Sequence, residues 1–303
     1  MSSIDRQVIL TLSYSQQFSY PLSIKELWYR LLRTRNNSNI SIRELHSSLI
    51  RLKRSGSVVF EDGHILLTPA KNLANRKQAR LISSLKKRAE LVPLLKLCEL
   101  LPWVAGLAIT GSLAMNNADQ HADADVMIVT ENNRLWLVRP ILVLFSFLYG
   151  KRRSWNKEEE NSWCLNLWLE RDSVGIAPEQ RSVYTAYEVL QADWVLSKDG
   201  LMNEFYLANR WIDGYFNRVR VPTLKESWSG LKIPILSQCF DLLNFLALKI
   251  QIWYMTPHMT KEKVSNSVAF FHPRDTKSWI VSSWRKVIKT ATISQYDHNS
   301  SRA

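Results

Sequence analysis

The chain has 303 residues, 46% apolar and 22% charged; that balance suits a globular protein with two or three cores and excludes a disordered or fibrous chain. Forty basic and 27 acidic residues give a net charge of +13, which favours a polyanionic partner without implying any sequence preference. The three cysteines, Cys98, Cys164 and Cys239, are far apart and odd in number, which argues against a disulfide framework or a cysteine metal site and for a reducing cytoplasmic location.

The opening MSSIDRQVIL carries an acidic residue and no apolar core of signal-peptide length. Apolar positions Ile4, Val8, Ile9, Leu10 and Leu12 predict a first helix over 4–14. Ser23 with Glu26, and Ser41 with Glu44, are capping-box pairs that open a second and a third helix. Val58-Val59-Phe60 and Ile65-Leu66-Leu67 then flank a Glu-Asp-Gly-His turn. Three helices and a hairpin over residues 1–70 resemble a winged helix. In that family the third helix often enters a DNA groove, and here it ends with Arg51, Lys53 and Arg54. Winged helices are also frequent protein–protein modules, and this third helix is not markedly basic at its start, which favours a scaffold or protein contact over nucleic-acid contact.

Residues 71–102 read as a connecting helical region with a basic first part: Lys71, Arg76, Lys77, Arg80, Lys86, Lys87 and Arg88 precede the first acid, Glu90. A solvated helix face and a phosphate-tracking surface are the two readings of such a run. Pro93 is expected to kink or break the helix, and Pro102 to end it.

The stretch VAGLAITGSLAMNNADQHADADVMIVT, Val104 to Thr130, organises the chain. Its two apolar runs predict strands separated by a Gly-Ser turn and a polar loop. Side chains alternate along a strand, so Asp123 and Asp125 share a face, where two carboxylates call for a cation. Gly111 lets backbone approach a ligand, and Ser112 adds a hydroxyl beside N–H groups suited to phosphate. Thr110-Gly111-Ser112, ten residues, then Asp123-Ala124-Asp125 resembles the nucleotidyltransferase family with the DNA polymerase β-type fold. The resemblance implies a mixed α/β (α+β) sheet over 103–220, Mg²⁺ or Mn²⁺ on Asp123 and Asp125, and triphosphate oxygens on Gly111 and Ser112.

A buried helix follows from Leu135 to Tyr149, kinked at Pro140; its longest mostly apolar run is too short to span a bilayer, so no membrane partner is expected. Cys164 to Glu170 is the next strand. In the family that strand usually brings a third metal-binding carboxylate, but the position of matching parity is Asn166, here a weak candidate ligand. Glu170 has the same parity, yet lies roughly 13 Å further along at the usual strand rise. A bacterial subgroup that this chain resembles combines a winged helix with this core and also carries Asn in a Cys-x-Asn context.

Tyr184–Leu196 and Leu201–Tyr215 have helical spacing and many aromatics, read as packing. Residues 221–303 read as a helical C-terminal region, with a helix from Ile235 to Met255, loops beyond Pro257 and a disordered tail QYDHNSSRA. The resemblance implies transfer of a nucleoside monophosphate from a nucleoside triphosphate to a hydroxyl acceptor, with pyrophosphate released. The acceptor is RNA, DNA, a protein side chain or a small molecule. A catalytically weak or inactive nucleotide-sensing or nucleic-acid-binding protein on the same fold is the alternative, and Asn166 favours it.

Overall fold

Capping chemistry sets the first elements of the computed structural model, which describes residues 2–33, 39–68, 73–152, 160–226, 237–258, 263–271 and 278–288. The chain divides into one unit of residues 1–79, 210–220 and 276–303 and another of residues 80–209 and 221–275. In the first, α1 (Ser3–Gln16), β1 (Leu22–Ser23), α2 (Ile24–Arg30), α3 (Ile42–Arg54), β2 (Val58–Glu61) and β3 (His64–Leu67) follow in order. Ser23 and Glu26 close a reciprocal capping box on α2, Ser41 and Glu44 do so on α3, and Ser2 and Asp5 add one on α1. The β2–β3 turn places Asp62 and Gly63 at φ 47° and 77°, as a tight two-residue hairpin requires. The three strands form an antiparallel sheet in the order β1-β3-β2.

Arg51 of α3 is held by Asp5 at 2.8 Å, so one of the three cations at that helix end serves packing between α1 and α3. Residues 278–288 are helical and dock on α1 through Trp284, whose Nε1 donates to Ser13 Oγ at 2.8 Å and whose ring meets Tyr14 edge-on.

α4 (Leu73–Glu90) starts in the first unit and from Arg80 belongs to the second. Pro93 does not kink a continuous helix: the chain breaks at Leu91 and Pro93 sits in the first turn of α5 (Val92–Leu100), where its missing N–H costs nothing. Lys198 closes the end of α5. Its buried ammonium donates to Cys98 O and Glu99 O in the last turn and to Leu101 O just beyond it, at 2.9–3.0 Å, a cation at the negative end of the helix.

The second unit is built on β4 (Val104–Ile109), β5 (Ala124–Thr130), β6 (Trp163–Glu170), β7 (Asp193–Ser197), β8 (Lys263–Val264) and β9 (Val268–Phe270), in the order β7-β4-β5-β6-β9-β8. Only β5 and β6 run parallel, and α7 (Leu135–Leu148) makes the crossover that a parallel pair needs. With α6 (Gly111–Ala114), α8 (Val183–Gln191), α9 (Leu201–Ala208) and α10 (Ser237–Met255), this is the mixed α/β class expected. Val104, Leu107, Val126, Ile128, Trp136 and Trp168 are all at most 1% exposed in the core.

Two readings change. The helix expected to run to Leu196 stops at Gln191, and Asp193–Ser197 is an edge strand beside β4. Trp194 and Leu196 are buried while Asp193 and Val195 are not, a period-2 pattern that the aromatic helix before it obscured. The C-terminal region is not wholly helical, because β8 and β9 extend the sheet from β6. The tail 289–303 and most of FFHPRDTKSW, 272–277, lie outside the described residues.

Glu170, excluded above by distance, has a different task. Its Oε1 accepts from Arg134 N and Leu135 N at the start of α7, and Asn244 Oδ1 of α10 accepts from Trp136 N and Leu137 N. α7 has no side-chain cap of its own. These two residues satisfy its orphan donors.

Candidate active site

The Gly-Ser turn and the aspartates meet at the junction of β4 and β5. Thr110 N donates to Asp125 O at 2.9 Å, which holds the turn against the head of β5. Gly111 has φ +60°, and a Cβ there would stand 2.5 Å from Asp125 Oδ2. Only glycine satisfies both conditions, since other residues rarely take that backbone region and none lacks a Cβ. Ser112 opens α6 partly exposed, and its hydroxyl has no hydrogen-bond partner among the described residues.

Asp123 and Asp125 are both partly exposed and flank the buried Ala124, the alternation that puts them on one face. Asp123 Oδ1 is oriented by Ser162, which donates from N at 3.0 Å and from Oγ at 2.8 Å. Asn166, 3% exposed, donates Nδ2–H to Asp125 Oδ1 at 3.0 Å. A carboxylate only accepts, so its amide nitrogen must face Asp125. The register shifts here, Val126 pairing Leu165 and Met127 pairing Leu167, which leaves Asn166 as the extra residue of a bulge. Bulges re-aim side chains beside sites. Thus β6 does line the site, and at this position it supplies a hydrogen-bond donor to Asp125. Among the described residues no three His, Cys, Asp or Glu side chains are grouped to hold a metal ion.

The basic run on α4 is used in a way neither sequence reading anticipated. Arg80 donates to Asn117 Oδ1 at 3.1 Å, and Ser84 Oγ accepts from Ala118 N at 3.0 Å. The buried Lys87 donates to Gln120 O, Ala122 O and Asn161 Oδ1. Arg88 reaches Leu113 O and Asn116 Oδ1, and pairs with Asp193. Positions 80, 84, 87 and 88 share one helix face. That face laces down the loop between the Gly-Ser turn and Asp123. Lys77 is likewise occupied, by Pro21 O and Glu26, while Arg76 and Lys86 are exposed.

The site also contains residues that sequence reasoning missed. Tyr184 and Glu188, one turn apart on α8, lie within the field of Asp125. Burial, with the charge of Asp125 adding, pushes the Glu188 carboxyl from an ordinary 4.5 up to about 7, and burial raises the Tyr184 phenol as well. The available signal was a lone acid in the otherwise uncharged stretch YTAYEVLQA. A carboxyl raised by folding favours the folded state below pH 4.5, and that contribution is lost as pH rises through 7. Glu188→Gln is therefore expected to melt about 5 °C above the wild type at pH 8 in metal-free buffer. The gap should close towards pH 5; melting curves that stay parallel across this range would refute the raised carboxyl.

Residues 94–184 match the family model for the nucleotidyltransferase domain. That segment carries Gly111, Ser112, Asp123, Asp125 and Asn166, and ends before Glu188. The match supports nucleotidyl transfer, with a nucleotide substrate, as the general activity of this domain. No curated protein and no solved structure matches the chain. No helix among the described residues is long and apolar enough to cross a membrane.

Proposed function

We propose that the second unit binds a nucleoside triphosphate with a divalent ion and transfers its nucleoside monophosphate to a hydroxyl acceptor, releasing pyrophosphate. The observation that carries this reading is the contact of Gly111 with Asp125, which brings a phosphate-sized turn and a carboxylate to one point. Mg²⁺ and Mn²⁺ take hard oxygen ligands, and Mg²⁺ is commonly held by one or two carboxylates plus substrate phosphates, a donor set that Asp123 and Asp125 suit. Bound there, the ion would neutralise triphosphate charge and lower the pKa of the attacking hydroxyl. Gly111 and Ser112 would orient the leaving phosphates through main-chain N–H groups and the Ser112 hydroxyl. In the transfer, the acceptor oxygen bonds to the α-phosphorus as the bond to the β-phosphate oxygen breaks. Glu188, on α8 within the field of Asp125, would be the carboxylate to take the acceptor proton.

Asn166 supports a second reading, a nucleotide-binding protein with weak or absent transfer, because it presents an amide to Asp125 where a carboxylate is usual in the family. Calorimetry with each NTP, with Mg²⁺ or with EDTA, tests the shared premise. Binding is expected only with the metal and is lost in Asp123→Ala; equal affinity in EDTA would dismiss both readings. Incubation with α-labelled NTP and cell RNA, DNA and protein then separates them, since label reaches an acceptor only if transfer occurs. The order of helices and strands in the first unit supports a winged-helix reading for it, in a cytoplasmic protein.

A further inference from the structure

Arg33, Arg218 and Arg220 line one concavity of about 570 Å³ in the first unit, together with Tyr29, Asn39 and a single acid, Asp213. Its wall is fixed by main-chain pairing. Arg33 N donates to Tyr215 O and Asn217 N to Leu31 O, both at 2.8 Å, and Leu32 bridges Phe216. The Asn217 amide ties the far rim, accepting from Ile40 N at 2.6 Å and donating to Ile40 O at 3.0 Å. Leu32 and Phe216 are buried at the base of this pairing.

Two of the three guanidinium groups are positioned by the protein. Arg33 Nη1 donates to Asp213 O at 3.0 Å, and Arg218 lies over the Trp28 ring at 4.7 Å. The Asp213 carboxylate is 3.8 Å from Arg210, so its charge is shared with a cation beyond the lining. Arg220 is exposed and makes no ion pair among the described residues. Like charges gathered in a concavity repel one another and raise the local concentration of anions. A guanidinium presents its N–H groups in a fork that matches phosphate oxygens. The volume is that of a small-ligand pocket, far below what a duplex needs.

We propose that this concavity binds a phosphate ester of nucleotide size, either a free nucleotide or one unit of a single-stranded nucleic acid. The site lies wholly within the first unit and does not depend on the reading given to Asp123 and Asp125. Fluorescence anisotropy on the full chain tests it, with labelled AMP and a labelled single-stranded oligoribonucleotide as probes. EDTA in the buffer keeps metal-dependent binding at the aspartates silent. Arg33→Gln/Arg218→Gln/Arg220→Gln is expected to weaken the preferred probe at least about tenfold at low salt and to reduce the slope of log affinity against log salt by about 2. A much tighter oligonucleotide than AMP assigns the polymer; equal affinities assign the free nucleotide. Arg218 and Arg220 are exposed, so their double variant keeps the assay valid if the triple variant melts early, and it should show an intermediate loss. The proposal fails if the wild type binds neither probe at low salt, or if the double and triple variants bind unchanged. It fails also if Lys53→Gln/Arg54→Gln on α3 removes binding while the double variant does not.

Discussion

Gly111→Val is expected to reduce Mg²⁺-dependent NTP affinity, and any transfer activity, by at least about 100-fold, the scale of a misplaced catalytic group. The valine Cβ would enter the space 2.5 Å from Asp125 Oδ2, so either the turn or the carboxylate must move. Backbone strain at φ +60° adds about 1–3 kcal/mol and overpacking about 1–3 kcal/mol, together lowering the melting temperature by about 5–15 °C. Gly150 provides an internal control. It has φ +65° and nothing within 4 Å of a built Cβ, so Gly150→Val imposes the same backbone strain without the collision. It should lose stability and keep nucleotide binding. Wild-type NTP affinity in Gly111→Val would remove the turn from the nucleotide site.

Asn166→Asp is expected to make the stability of the fold depend on a cation or a proton at this position. The present amide donates to Asp125 at 3.0 Å; a second carboxylate there replaces a hydrogen bond to a charge with like-charge repulsion. Losing such a bond alone costs about 1.5–3 kcal/mol, so metal-free Asn166→Asp should melt about 5–10 °C below wild type at pH 8. The sign with pH follows from the pair: repulsion raises a carboxyl pKa in the folded state, so the deficit appears as pH rises and shrinks as pH falls. Mg²⁺ should close the gap at pH 8 by lying between the carboxylates. A deficit indifferent to Mg²⁺ would mean that positions 125 and 166 do not share a cation site.

The parts of this protein that were legible in its sequence are those encoded locally. Capping boxes at Ser23 and Ser41 marked two helix starts to the residue, and the strand–turn–strand of Val104 to Thr130 appears as read. The partly exposed Asp123 and Asp125 on either side of the buried Ala124 follow the alternation of the sequence. What escaped depends on contacts far apart in the chain. Glu188 joins the site because α8 packs on α6 and brings it into the field of Asp125, 63 positions earlier in the chain, and no local period announces that. The strand β7 was hidden because WVL follows an aromatic helix without a break residue. The basic run on α4 shows the same limit: charge count along a helix cannot distinguish a solvated face from one aimed at carbonyl oxygens. Lys87 alone takes two of them.

That lacing of the loop has a thermodynamic consequence for ligand capture. Ordering a free backbone residue costs about 1–2 kcal/mol, and a loop that froze only around its ligand would subtract that from affinity. Here Arg80, Ser84, Lys87 and Arg88 already hold the 113–122 segment, so its entropy is surrendered when the chain folds. Amides at Asn117 and Ala118, bonded to Ser112 O and Ser84 Oγ, should then exchange slowly with solvent deuterium even before nucleotide arrives.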